Sequence, residues 1–188
     1  ALPVQSGAVR LDGVDVANWD RGEFGRHVGY LPQDSQLIET SVRSFIARME
    51  DAPLDRVAEA ARLAGIHDMI LRLPQGYETR LGTGGFLPSA GQRQRLTLAR
   101  AVFGDPRLVV LDEADAHLDG PGEMALQKAI AALKARGATV VATSHRPNLL
   151  RVADRVLVLQ DGSIARFGLR DEVLAALGQA RPVVSTAA

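Results

Sequence analysis

Hydrophobic and polar positions along the first forty residues predict short β-strands. Two β-like runs, Ala8–Leu11 and Val14–Val16, lie on either side of Asp12-Gly13, a pair typical of a hairpin turn. Val28–Leu31 is another short apolar run, and Pro32 ends it because proline has no N–H to donate to a sheet. The chain is therefore predicted to begin with β-structure.

The middle of the chain has the spacing of helices. Apolar residues recur at helical intervals from about Val42 to Leu73, and Gly65 within this stretch is a stop signal. A further helix is predicted from about Ala90 to Phe103, because Gly104-Asp105-Pro106 then breaks the pattern. We therefore predict a mainly helical segment between two parts of different character.

The last third alternates between strands and helices. The predicted elements are a strand at Leu108–Leu111, a helix at about Gly122–Ala135, a strand at Ala138–Thr143, a short helix after Pro147, a strand at Arg155–Leu159, a turn at Asp161-Gly162 and a helix at Asp171–Leu177. Continuous Val and Leu strands that alternate with helices are typical of a parallel sheet covered on both faces. The fold class is therefore predicted to be α/β.

This pattern predicts a division of the chain into two lobes. A helical subdomain at about 42–103 is inserted into an α/β core at about 1–41 and 104–177. The tail at 178–188 is rich in Ala, Pro and Ser and is expected to be frayed. No internal repeat or low-complexity linker separates these parts.

Composition excludes several classes of protein. The 188 residues fit one domain, and a formal net charge of zero gives no electrostatic reason to expect nucleic acid as a partner. Cysteine is absent, which excludes disulfides and thiolate metal sites. No apolar run reaches the ~18 residues that span a bilayer. The first residues resemble no signal peptide, and the lack of an initiating Met favours truncation or processing.

Two segments have candidate chemistry. Asp112 and Glu113 follow an apolar strand, at the carboxyl edge where open α/β sheets bind ligands. Ser89, with Gln92 three residues later, predicts a capping box at the start of a helix. A helix N-terminus attracts anions, so this segment is either an ordinary cap or part of a phosphate site.

In this order and spacing, these segments resemble the nucleotide-binding domain of ABC transporters. Pro88-Ser89-Ala90-Gly91-Gln92 resembles the signature sequence Leu-Ser-Gly-Gly-Gln, and Gln92-Arg93-Gln94-Arg95 continues the family pattern. Gln33 stands where the family has its Q-loop glutamine, and His145 where it has its switch histidine. The likeness extends from about Gly7 to Leu177, and it implies the P-loop NTPase-like fold of an ABC cassette.

The resemblance implies ATP and Mg²⁺ as cofactors and a role for each matching residue. Asp112 and Gln33 would hold Mg²⁺, and Glu113 and His145 would be catalytic, with Glu113 as the base that polarises water and His145 as the group that bonds the γ-phosphate. The residues implied to contact nucleotide are Gln33, Ser89, Gly91, Gln92 and Asp119. Asp119 lies in a segment similar to the D-loop, and it could equally cap the next helix.

The chain departs from the family pattern at several functional positions. Pro88 and Ala90 replace Leu and Gly of the signature, Thr83 replaces a usual Glu, and Asp115 a usual Thr or Asn. His117 replaces a usual Ala, and no catalytic role is assigned to it. No Gly-x-x-x-x-Gly-Lys-Ser/Thr loop occurs in these residues, whose only lysines are Lys128 and Lys134. The 188 residues alone are therefore expected to bind ATP weakly and not to hydrolyse it.

Several stretches are most similar to type I secretion exporter ATPases of the protease and lipase group: Arg26–Asp34, Leu73–Thr79, Leu118–Glu123, Ser144–Pro147 and Leu157–Gly162. This likeness implies a second cassette bound head to tail, a transmembrane domain, and through the whole complex a periplasmic adaptor and an outer-membrane channel. The implied location is the cytoplasmic face of the bacterial inner membrane.

Three functions remain open on the sequence. The first is the ATPase module of an exporter. The second is a non-hydrolytic or degenerate cassette that acts as a partner or regulatory subunit, which the altered signature favours and the Asp112-Glu113 pair disfavours. The third is a soluble cassette of DNA repair or translation, which the lack of heptads and of a duplicated cassette disfavours.

Overall fold

The computed structural model describes residues 6–116 and 118–179. Residues 1–5, His117 and the segment 180–188 lie outside the described residues, so the predictions made for them stay predictions. The chain divides into two compact units, of which the first ends at Ser144 and the second begins at His145. The predicted helical insert at 42–103 lies within the first unit, and its standing as a separate lobe remains a prediction.

Strands of the first unit form a hairpin and a parallel sheet. The antiparallel hairpin of β1 (Arg10–Leu11) and β2 (Val14–Asp15) turns at Asp12 and Gly13, as the sequence indicates. The sheet has the order β3 (Val28–Leu31), β4 (Leu108–Asp112), β5 (Thr139–Thr143), with both pairs parallel. Because all three strands run the same way, the segments that follow them lie at one edge.

The first unit contains six α-helices within its described residues: α1 (Arg21–His27), α2 (Val42–Ile46), α3 (Leu54–Leu63), α4 (His67–Leu71), α5 (Ala90–Val102) and α6 (Gly120–Ala135). The helical stretch predicted from Val42 to Leu73 is thus broken into three. Arg48 and Met49 follow α2 with φ of +57° and +67°, a left-handed conformation that no α-helix continues through. Helix α1 was missed, although Asp20 caps it by accepting N–H groups of Gly22 and Glu23.

Helix α5 is packed closely against β3. A Cβ atom placed on Gly29 would lie 2.0 Å from the carbonyl oxygen of Ala101, so only glycine permits this approach. On the sheet side the core contains Leu31, Val109 and Leu111, which are fully buried. This contact sets the distance of the helix from the sheet along its last turn.

Arg48 holds the end of α5 from a second direction. Its guanidinium donates to the carbonyl oxygens of Arg100 and Ala101 at 2.9 Å each, and to that of Gly25 in α1 at 2.5 Å. Burial lowers the pKa of Arg48 below its ordinary value. Carbonyl groups at helix C-termini carry partial negative charge, so they stabilise a cation that has left water.

The second unit contains a hairpin and a helix. The predicted short helix after Pro147 is a 3-10 helix at Pro147–Val152, and it precedes β6 (Arg155–Gln160). The predicted turn at Asp161-Gly162 connects β6 to the antiparallel β7 (Ser163–Leu169), which leads into α7 (Arg170–Gln179). Across the described residues, no helix has both the length and the apolar character needed to cross a bilayer.

We predict that Gly29→Ala lowers the free energy of unfolding by at least about 2 kcal/mol, because the added methyl group overlaps a backbone oxygen that cannot move without shifting α5. Gly25→Ala is the matched control, since nothing lies within 4 Å of a Cβ placed there. In the interior of α1 it should raise stability by about 0.5–1 kcal/mol. Urea unfolding followed by circular dichroism measures both changes. A Gly29→Ala variant as stable as the wild type would contradict the packing argument.

Candidate functional site

The carboxyl ends of the three parallel strands bring four polar side chains together. Gln33 follows β3, Asp112 ends β4 with Glu113 directly after it, and Thr143 ends β5. In the register of the sheet Asp112 lies opposite Thr143, and Leu31 opposite Leu111. Neighbouring strands are about 4.8 Å apart, so side chains at this edge reach one another.

Glu113 is held at all three of its polar groups. Its carboxylate Oε2 accepts a hydrogen bond of 3.0 Å from Nε2 of Gln33. Its backbone N–H donates to Oγ1 of Thr143 at 3.0 Å, and its carbonyl oxygen accepts from Nε2 of Gln94 at 3.0 Å. The φ of Glu113 is +49°, a left-handed conformation that is strained for a residue other than glycine. The surrounding bonds stabilise that conformation.

Thr143 connects both carboxylate residues. Its hydroxyl accepts the N–H of Glu113 and donates to Oδ1 of Asp112 at 2.7 Å. Asp112 is the last residue of β4 and Glu113 follows it directly, whereas the hydroxyl comes from β5. The orientation of the Asp112 carboxylate therefore depends on the neighbouring strand as well as on its own.

The residue after Thr143 makes a second bond to the same loop. The hydroxyl of Ser144 donates to Oδ2 of Asp115 at 2.5 Å. Asp115 is only 4% exposed, and a buried carboxylate is tolerated where it accepts hydrogen bonds. Asp115, which stands where the family usually has Thr or Asn, is thus hydrogen-bonded to Ser144, and both residues belong to the first unit.

The start of α5 has the predicted capping box. Oγ of Ser89 accepts from the backbone N–H of Gln92 at 3.3 Å, and Oε1 of Gln92 accepts from the N–H of Ser89 at 2.9 Å. Ser89 and Ala90 are exposed, whereas Pro88 is buried and Gly91 is half-buried. The Cβ of Ala90 therefore lies at the exposed end of the helix, where the family pattern has glycine.

Asp119 is the N-cap of α6, because its Oδ1 accepts the N–H of Gly122 at 2.9 Å. Its predicted role at a dimer interface stays a prediction. His145 is exposed at the beginning of the second unit, and its predicted catalytic role also stays a prediction. The predicted contacts of Ser89, Gly91 and Gln92 with nucleotide also stay predictions.

A hydrogen-bonded pair connects the segment after Gln33 with the loop before α5. Oε1 of Glu39 accepts from Oγ1 of Thr83 at 2.9 Å and from its N–H at 3.2 Å. These bonds, with that from the threonine side chain the larger cause, lower the pKa of Glu39 below its usual range. Position 83 is therefore Thr where the family usually has Glu, and the carboxylate of Glu39 lies beside this threonine.

The residues present fit a magnesium–nucleotide complex. Asp112 and Glu113 offer carboxylate oxygens and Gln33 an amide oxygen, and oxygen atoms are the ligands that Mg²⁺ prefers. Among residues 6–116 and 118–179 no group of three His, Cys, Asp or Glu side chains could hold a metal by itself. In proteins Mg²⁺ is usually bound through one or two carboxylates, water and the phosphates of a substrate.

Sequence reasoning missed the roles of Thr143, Ser144 and Gln94. Gln94 lies in the stretch Gln92–Arg95, which matches the family pattern, but no contact was predicted for it. The feature of the sequence that could have indicated a role is its position in the helix, five residues after the N-cap Ser89. Thr143 and Ser144 are polar residues at the end of an apolar strand. Their contacts depend on the pairing of β5 with β4, which no local pattern specifies.

Comparison with known proteins identifies a family. Residues 1–116 match the family described as ABC transporter. The chain is 47% identical to the type I secretion system ATP-binding protein PrsD of Rhizobium meliloti, over 92% of this chain and 30% of that protein. It is 46% identical to the mycobactin import ATP-binding/permease protein IrtA of Mycolicibacterium thermoresistibile, over 95% of this chain and 20% of that protein. The chain thus spans a third or less of these curated relatives.

A solved structure has the same fold. The chain superposes on a bacterial Atm1-family ABC exporter with ATP bound with a TM-score of 0.82 and 32% sequence identity. The match covers 92% of this chain and 30% of that one. The predicted α/β cassette fold is therefore confirmed.

We predict that Thr83→Val raises the pKa of Glu39, because the stronger of the two hydrogen bonds to its carboxylate is lost. Thr83→Ser keeps a hydroxyl and should leave the pKa low. Carboxyl carbon NMR over a pH titration measures the difference. Identical titration curves for the valine variant and the wild type would contradict the assignment.

The same pair makes stability depend on pH in a defined direction. The folded-state pKa of Glu39 lies below that of the unfolded chain, so the stabilisation is present above the unfolded pKa. It is lost as the pH falls through the folded-state pKa. The valine variant should therefore lose less stability than the wild type over that acidic interval in urea unfolding.

Proposed function

The chain belongs to the ABC transporter family, and on that premise we propose that it is the ATP-binding and ATP-hydrolysing module of an exporter, which couples hydrolysis to transmembrane transport. The observation that carries this proposal is the position of Glu113. Its carboxylate lies at the carboxyl edge of a parallel sheet, beside Asp112, with Gln33 bonded to it at 3.0 Å. Such an edge is where α/β sheets bind ligands.

The proposed chemistry assigns one task to each residue. Asp112 and Gln33 would hold Mg²⁺, which when bound with ATP would offset the charge that develops on the phosphate oxygens. Glu113 positions a water and takes its proton while the water oxygen forms a bond to the γ-phosphorus. The bond from that phosphorus to the β–γ bridging oxygen breaks, and ADP leaves. His145 bonds the γ-phosphate.

We assign a second set of residues to the site of a partner cassette. Ser89, Gly91 and Gln92 begin a helix of 13 residues, whose first N–H groups and positive dipole end favour a phosphate. Asp119 lies at the start of α6 and belongs to the same proposed interface. In a head-to-tail dimer these residues face the γ-phosphate held by the other subunit, so two copies form two sites.

We further propose a type I protein secretion system as the setting. The relative PrsD, at 47% identity, is named as a type I secretion protein, which supports secretion, whereas IrtA, at 46%, is named as a mycobactin import protein. The stretches similar to secretion ATPases favour the first. In that setting the cassette works with a transmembrane domain at the cytoplasmic face of the inner membrane. The complex also includes a periplasmic adaptor and an outer-membrane channel.

A second candidate function is a non-hydrolytic cassette that pairs with a competent one. Ala90 favours it, because a methyl group at the exposed start of α5 narrows the space in which backbone approaches phosphate. The two functions differ in whether transport requires Glu113.

We predict that a polypeptide of these 188 residues hydrolyses ATP at a negligible rate. Phosphoryl transfer depends on positioning and charge neutralisation, and no glycine-rich phosphate loop with its lysine occurs among these residues. Phosphate release in the presence of Mg²⁺ and ATP measures this. A turnover of ~1–100 s⁻¹, abolished by Glu113→Gln, would refute the prediction.

In the full gene product, purified with its natural partners, Glu113→Gln should lower kcat by at least about 100-fold, as expected for loss of a general base. Glu172→Gln in α7 is a matched control, because its side chain is exposed in the second unit. Transport of a secreted protein into vesicles is measured in parallel. Transport that continues at the wild-type rate in the Glu113 variant would favour the non-hydrolytic function.

A further inference from the structure

We propose that Thr143 and Ser144, here termed the hydroxyl pair, are positioning residues that hold the loop Asp112–Ala116 in the geometry needed for metal binding and hydrolysis. The inference rests on the proposed function of Asp112 and Glu113. It assigns to the end of β5 a role that the recognised family motifs do not give it. Three observations support it: the register of β5 against β4, the left-handed backbone conformation of Glu113 and the buried carboxylate of Asp115.

The first observation is the register of the sheet. Thr143 is the partner of Asp112 in the parallel pairing of β5 with β4. Its hydroxyl has one proton, which goes to Oδ1 of Asp112 at 2.7 Å, so its oxygen is the acceptor for the N–H of Glu113 at 3.0 Å. One hydroxyl group thus orients the proposed metal ligand and the backbone of the proposed base.

The second observation is the backbone conformation of Glu113. A φ of +49° is strained for a residue with a Cβ, and such strain persists only where neighbouring groups hold the backbone in place. Thr143 binds the N–H of this residue and Gln94 binds its carbonyl oxygen, so the peptide groups on both sides are held. Without the hydroxyl, one of these two restraints is lost.

The third observation is at the other end of the loop. Asp115 is 4% exposed, and Ser144 donates a hydrogen bond of 2.5 Å to its Oδ2. A charge-assisted bond of this kind is stronger than a bond between neutral groups. The hydroxyl pair therefore binds the loop on both sides of Ala114, through Asp112 and Glu113 before it and through Asp115 after it.

These contacts imply a specific effect on function. In the proposed reaction the water oxygen attacks the γ-phosphorus, and the hydroxyl pair is assigned a contact with neither atom. Loss of the pair should therefore lower the affinity for the metal and the turnover rate, while the affinity for nucleotide changes little. Loss of a side chain that orients a metal ligand typically costs about 10–100-fold in metal affinity or activity. A purely structural role would instead lower stability and leave these quantities unchanged in the folded protein.

The test uses the full gene product with Thr143→Val, which keeps the shape of the side chain and removes its hydroxyl. We expect kcat to fall about 10–100-fold and the affinity for Mn²⁺, measured by electron paramagnetic resonance with a non-hydrolysable ATP analogue, to fall about 10-fold. The KM for ATP should change less than about 3-fold, since the hydroxyl contacts no nucleotide in the proposed site.

Two variants are the controls. Thr143→Ser restores a hydroxyl and should return kcat and Mn²⁺ affinity to within about 3-fold of the wild type, because the donor and acceptor are the same. Thr139→Val makes the same chemical change at the exposed first residue of β5, opposite Leu108 and away from the carboxylates. It should leave both quantities unchanged.

Wild-type kcat and Mn²⁺ affinity in a folded Thr143→Val protein would overturn the proposal. If that variant does not fold, Ser144→Ala takes its place, with an expected loss of at least about 5-fold in kcat and Ser144→Thr as its rescue. Wild-type values in Ser144→Ala would then overturn the proposal. Failure of the proposed function is distinct, since a wild type that hydrolyses no ATP, or is unaffected by Glu113→Gln, still reports Mn²⁺ affinity.

Discussion

The parallel pairing of β4 with β3 on one side and β5 on the other is the constraint on which the site depends. Gln33, Asp112 with Glu113, and Thr143 are more than 100 residues apart at the extremes, yet each follows or ends a strand of one sheet. Their side chains meet because the strands run the same way in a fixed register. A shift of β5 by one residue would turn Thr143 to the other face and remove both of its bonds.

The site is held mainly by hydrogen bonds from neutral side chains. Three side chains each bind a different group of Glu113: the amide of Gln33 after β3, the amide of Gln94 in α5 and the hydroxyl of Thr143 in β5. Neutral donors orient a carboxylate without placing a full positive charge beside it. Donors of this kind suit the proposed binding of a magnesium–nucleotide complex, because they orient carboxylates that can bind Mg²⁺ and add no charge of their own.

Helix α5 connects this edge of the sheet to the segment proposed to serve a partner cassette. Gln94 near its start binds the carbonyl of Glu113, and its last turn lies against Gly29 and accepts from Arg48. The helix is therefore held at both ends by the unit that contains the carboxylates. The exposed capping box of Ser89 and Gln92 is presented from a helix with a defined position, which a phosphate site on a partner requires.

Local periodicity and short motifs were enough to predict the α/β class, the succession of the main strands along the chain, the capping box of α5 and the two carboxylates after β4. Local patterns did not predict the break after α2, where Arg48 has a left-handed conformation and its side chain binds carbonyl groups of α1 and α5. Nor did they predict the roles of Thr143, Ser144 and Gln94. Those were decided by tertiary structure alone, because a hydrogen bond between residues about 20 to 30 positions apart exists only once strand register and helix packing place donor and acceptor within about 3 Å.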